Sequence, residues 1–222
     1  MGRPGAAAGF PHPGSLDMAK IRIKSQWFRG GAEKTPQQTA SAMAFITWRV
    51  AQNTLKQMRS ADFDIDAGPQ YFAFTRELLV FLIQVIDRMA HERMTGEQRS
   101  EFITALVCRV AEILQENEDT LLGVPEALSA SHFDQFIDLF NQLAEHYAEF
   151  GFDASGPDFS FVRYLGHRIE QLMPAKDRRW VVDQIMAIEV PQAVDMIRRA
   201  LPDVLSTQPR PARTARVLTS GD

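Results

Sequence analysis

Arg163, His167, Arg168, Arg178, Arg179 and Trp180 are the residues whose types and spacing best suit recognition chemistry. Arg163 and His167 are four positions apart, which places both on one face of a helix. A guanidinium offers a planar fork of donors to carboxylate or phosphate, and Arg and Trp are the side chains most enriched where partners bind tightly. The group therefore points to contact with an acidic partner or an anion. The competing expectation is a solvated surface in which these cations, with Arg198 and Arg199, pair with Asp177, Asp183 and Asp195.

Metal chemistry finds less support. A di-metal carboxylate site in a helical bundle needs two Glu-x-x-His pairs, because that spacing stacks both ligands one turn apart. The residues three before His91, His132, His146 and His167 are Arg88, Ser129, Leu143 and Tyr164, so none fits. Asp87 with His91, His146 with Glu149 and His167 with Glu170 have helical spacing, but ion pairing explains them equally well. Asp62, Asp64 and Asp66 alternate as calcium ligands do. A calcium loop also needs Gly at its sixth position and Glu at its twelfth, where this chain has Ala67 and Ala73. These aspartates are expected to cap the following helix, and no metal or cofactor is expected.

The chain has no Gly-x-Ser-x-Gly elbow, no His-Glu-x-x-His and no phosphate loop, so no catalytic residue can be named and the balance is against an enzyme. Its single cysteine excludes an intrachain disulfide and a cysteine-rich zinc site. Cys108 falls beside a helical core face and reads as a small buried hydrophobe.

The net charge of -4 is unevenly placed. Residues 1–30 carry Arg3, Lys20, Arg22, Lys24 and Arg29 against Asp17, giving +4. Residues 206–222 carry Arg210, Arg213 and Arg216 against Asp222, giving +2, so the body between them carries -4 - 4 - 2 = -10. Phosphate binding needs a positive footprint, so an acidic body argues against nucleic acid as the partner.

The elements that must position these groups are helices. Gln70 to Met94 is apolar almost all round, through Phe72, Phe74, Leu78 to Ile83, Val85, Ile86 and Met89. Such a helix must be buried on nearly every side, yet Arg76, Glu77, Gln84, Asp87 and Arg88 break it too often for a membrane span. It reads as the central helix. Thr35 and Thr95 each precede Gln by three residues, the capping-box pattern of a helix start. The first of these helices, ending near Arg59, presents Met43, Ile46, Val50, Leu55 and Met58, widened by Phe45 and Trp48. The second presents Phe102, Ile103, Leu106, Val107, Val110, Ile113 and Leu114.

Ser131 opens a stripe of Phe133, Phe136, Ile137, Phe140, Leu143, Ala144, Tyr147 and Phe150, closed by Gly151. Phe161, Val162, Leu165, Ile169 and Leu172 define the next helix. A sixth, from Ala175 to about Glu189, is expected to face inward with Trp180, Val181, Ile185 and Ile188. Pro191 can begin a seventh from Gln192 to Leu201, which Pro202 would stop.

The fold expected is all-α: a single-domain bundle of six to seven helices around the central helix, spanning 32–205. Residues 1–31 read as a weakly ordered leader and 206–222 as a disordered tail, with Met18 a candidate true start. The function expected is a cytoplasmic, non-enzymatic protein-interaction or regulatory module, binding itself or another protein without membrane insertion. The alternative is a ligand-binding or enzymatic domain whose inter-helix pocket uses His91, His167 or Arg163.

Overall fold

Pro69–His91 (α2) is the central helix of the described body: fifteen of its 23 residues are buried, and it packs against five other helices. The computed structural model describes residues 35–206, so the expectations for the leader, for Met18 and for the tail beyond Ser206 lie outside the described residues. Around α2 run Pro36–Ser60 (α1), Gly96–Leu121 (α3), His132–Ala148 (α4), Phe159–Glu170 (α5), Ala175–Gln184 (α6) and Val190–Leu205 (α7). The architecture is all-α, as the periodicity predicts. No described helix is long and apolar enough to cross a membrane.

The helix starts follow local chemistry. At α1, the Gln38 N–H donates to Thr35 Oγ1 at 3.2 Å while the Thr35 N–H donates to Gln38 Oε1 at 3.1 Å. Thr95 and Gln98 repeat this at α3. Ser131 caps α4 through the Asp134 N–H, and Asp158 caps α5 through the Phe161 N–H. The aspartates of the 62–66 turn do not cap α2, whose N-cap is Gly68 with no side-chain bond. Instead Gln70 reaches back to accept from the Asp66 N–H and donates to the Leu172 carbonyl.

The expected α1 face holds at Met43, Val50, Leu55 and Met58, which are buried together with Ala40, Ala44, Thr47, Ala51 and Thr54. Helix α1 packs most extensively on α3, and buried Thr47 satisfies its hydroxyl on the Met43 carbonyl at 2.8 Å. Phe45 falls outside this seam and is 43% exposed, with Arg49 over its ring. Helix α2 ends at His91, short of Met94, and Cys108 is only half-buried.

The largest departure follows Gln184. Residues Ile185–Glu189 form a π-turn in which the Val190 N–H reaches the Ile185 carbonyl, and α6 continues through it into α7. Pro191 supplies the reason: it has no N–H for Ala187, and its ring crowds that carbonyl, so a wider turn relieves both. The extra residue rotates the inner face. Val181 and Ile185 stay inside, Ile188 turns out to 44% exposure, and Glu189 turns in. Trp180 is 58% exposed, not inward. Pro202 does not stop α7, which runs on to Leu205. An antiparallel hairpin, Phe152–Asp153 with Gly156–Pro157, occupies what reads as plain loop. Arg198 on α7 donates to its Ser155 carbonyl at 2.6 Å.

Candidate functional site

Helices α5 and α6 carry the expected recognition residues, and their mutual packing sets which of them face solvent. Gly166 is the close-approach point: a Cβ there would lie 3.1 Å from Val182 Cγ1. With Phe161, Leu165 and Ile169 committed to the core, Arg163 and His167 are left on the outside of α5. Arg163 sits 5.8 Å over the ring of Phe159, which is 65% exposed. On α6, Arg179 sits 5.0 Å over the ring of Trp180. An arginine held against an aromatic face keeps its fork free for a ligand while the stack contributes about 0.5–1 kcal/mol at exposed sites.

The other three predicted residues are already engaged. His167 Nδ1 lies 3.0 Å from Glu170. Arg178 Nε donates to the Met173 carbonyl at 3.0 Å, bracing the α5–α6 turn. Arg168 turns inward to Glu77 on α2, whose side chain is only 5% exposed. The hydrogen bonds it donates to Glu77 hold the Arg168 guanidinium still more firmly protonated than usual. Lys176 pairs with Asp64 at 2.9 Å, and that bond raises its ammonium above the usual lysine range. Of the pairings expected for the surface arginines, Asp195 meets Arg199 on its own helix.

The polar residues of α2 form crossings that periodicity does not show. Arg76 donates to both oxygens of Glu118 on α3, at 2.9 and 2.8 Å, and to Gln135 on α4. His132 at the start of α4 lies 2.9 Å from Asp119 and 3.9 Å from Glu118. Arg88 donates to the Tyr147 and Ala148 carbonyls, placing a cation at the C-terminus of α4. Asp87 meets Arg99. The available signals were charged residues inside an apolar helix and Glu118, four positions after core residue Leu114.

Beside the Glu77–Arg168 pair stands an aromatic cluster of Phe81, Tyr147, Phe150, Phe161 and Tyr164. Burial pushes the Tyr147 phenol well above its ordinary value, with nearby Glu77 adding to the effect. Burial raises Tyr164 as well, with Arg168 opposing. Both rings are neutral packing groups at physiological pH. Glu189 is 1% exposed; Gln184 donates to Oε1 at 2.9 Å, while Oε2 has no hydrogen-bond partner among the described residues.

A groove of about 510 Å³ lies where α1 passes the start of α2, lined by Gln52, Leu55, Lys56, Arg59, Ser60 and Tyr71. Arg59 is fixed there on the Ile65 carbonyl and over the Tyr71 ring, so its fork is partly spent. Among the described residues no three His, Cys, Asp or Glu side chains converge as metal ligands would. His91, the remaining candidate pocket residue, is exposed beside Arg99.

No protein-family model matches the chain, and comparison with curated proteins and with solved structures finds no match.

Proposed function

We propose that this chain is a non-enzymatic protein-interaction module that receives an acidic partner on the outer face of α5 and α6. The observation that carries the reading is the pair of exposed aromatic rings, Phe159 and Trp180, each covered by an arginine. Large rings left in water are costly surface that association can bury, and a guanidinium stacked on such a ring loses little further freedom when it grips a carboxylate. Two features of the pocket alternative weaken it. His91, His167 and Arg163 are all exposed, and each already sits against Arg99, Glu170 or Phe159. The single Cys108 suits the reducing cytoplasm in which we place this activity.

Site-specific photo-crosslinking in cells that make the chain tests the reading. A crosslinker at position 180 should capture a partner that one at exposed position 92 does not, and Arg163→Gln/Arg179→Gln should abolish the capture. Equal capture at both positions, or none at 180, rejects it.

A further inference from the structure

The opposite charge is concentrated elsewhere on the same body. From Val110 to Val162 there are eleven Asp or Glu and no Lys or Arg. From Arg163 to Trp180 there are five Lys or Arg against Glu170 and Asp177, a balance of 5 - 2 = +3. Most of the acidic run is surface. Along α4 and its C-cap, Asp134, Asp138, Glu145 and Glu149 are all exposed, and their spacing of four, seven and four aligns them as one stripe.

The stripe begins beside an apolar tip. The connection from α3 to α4 leaves Leu121 65% exposed, Val124 76% and Leu128 fully exposed, with Leu122 at 39%. Half of the eight exposed large hydrophobics of the described body fall in this stretch of eight positions. The α3 terminus is also electrostatically unfavourable by itself. Its last turn holds no basic residue, although a helix C-terminus carries the equivalent of roughly half a negative charge. Arg76 and His132 answer Glu118 and Asp119 from inside, while Glu116 and Glu126 remain exposed. An apolar tip bordered by unneutralised carboxylates fits a surface that is basic and aromatic.

We infer that the occupant is the α5–α6 face of a second copy of this chain, so that copies associate head to tail. The inference rests on the proposed function and names the acidic partner as the chain itself. The two surfaces complement each other in kind: carboxylates with Leu121, Val124 and Leu128 on one, Arg163 and Arg179 with Phe159 and Trp180 on the other. They lie on different elements of one body, so each copy presents both, and the contact is heterologous. Such contacts extend in steps unless the rotation closes a ring. Charge attraction sets the register and weakens with salt, over a screening length of ~8 Å at physiological ionic strength.

Sedimentation of the full chain over a wide concentration range, at low and high salt, reads this directly. The mass should rise from the 25.0 kDa monomer toward dimers and larger species with concentration, and fall back in high salt. One variant removes the acidic apolar surface (Leu121→Ser, Leu128→Ser, Asp138→Asn, Glu145→Gln); a second removes the basic one (Arg163→Gln, Arg179→Gln, Trp180→Ser). Each alone should stay monomeric with wild-type helicity. Mixed in equal amounts they should form one heterodimer and stop there, because each retains one intact surface. A wild-type chain that stays at 25.0 kDa throughout, or either variant associating as wild type does, overturns the inference. A monomeric chain that still captures a different protein at position 180 sinks the second-copy partner while leaving the interaction module standing. Loss of all capture at position 180 sinks both.

Discussion

Arg168 on α5 and Glu77 on α2 stand 91 positions apart in sequence and meet in three hydrogen bonds of 3.2, 3.1 and 2.5 Å. The carboxylate is almost wholly enclosed and the guanidinium is 37% exposed, so the pair fixes α5 against the central helix at the edge of the aromatic cluster. This contact also sorts the cations of the candidate site. It withdraws Arg168 from recognition and orients α5 so that Arg163 is presented outward.

Breaking that pair from one side should be far worse than deleting it. Arg168→Met leaves Glu77 buried without a countercharge and should cost about 3 kcal/mol, the lower end for a buried pair because Arg168 is partly wet. Glu77→Met/Arg168→Met should fall within about 1 kcal/mol of wild type, since an apolar pair of similar volume needs no desolvation. Urea denaturation of both variants checks this; a double variant as unstable as the single one refutes it.

Leu82→Ala should destabilise by about 2–5 kcal/mol, the range for a fully buried leucine; Leu82 has no exposed surface. Phe45→Ala, outside the α1 seam, should cost under about 1 kcal/mol, the worth of its exposed stack with Arg49. Thermal or urea unfolding of the two would show a reversed order if the core were elsewhere.

Those two residues mark what was legible in the sequence. Leu82 could be placed because α2 is apolar on every side, and no choice of face was needed. Phe45 misled because size suggested burial, whereas the buried seam of α1 is filled by Ala and Thr beside Met43, Val50, Leu55 and Met58. Capping boxes at Thr35 and Thr95 were readable because all their atoms lie within three residues. Glu77–Arg168 and Arg76–Glu118 were not, because their partners are 91 and 42 positions apart, and only the fold brings them together. Ile188 departs for a third reason: Pro191 acts backward along the chain, and the π-turn it favours adds one residue to the period, whereas Trp180, ahead of that turn, lies one position off the Val181–Ile185 face.

Glu189 carries the consequence of that turn. Burial raises its carboxyl above the ordinary value of 4.5, with the Gln184 bond opposing. Between 4.5 and the raised folded-state value, the folded state therefore binds more of this proton than the unfolded state does. Its contribution to stability falls as pH rises from there through the folded-state value. Glu189→Gln should raise the melting temperature at pH above neutrality, with the gain shrinking to nothing as pH falls below the ordinary carboxyl range. A gain independent of pH, or a loss at high pH, contradicts this assignment.

Asp158 joins the hairpin to α5, and Gly151 is its other partner. Oδ1 accepts from the Phe161 N–H at 2.7 Å as the helix cap, and Oδ2 accepts from the Gly151 N–H at 2.9 Å. A Cβ on Gly151 would stand 2.7 Å from that Oδ2, so Gly151→Ala must push the carboxylate away from both donors. The loss should be about 1–2 kcal/mol, the upper part of the range for an N-cap. Asp158→Ala removes the same bonds directly, so the two substitutions should be non-additive when combined. Unfolding curves of the single and double variants decide it. Additive losses would mean that Gly151 acts through the hairpin backbone and not through the cap.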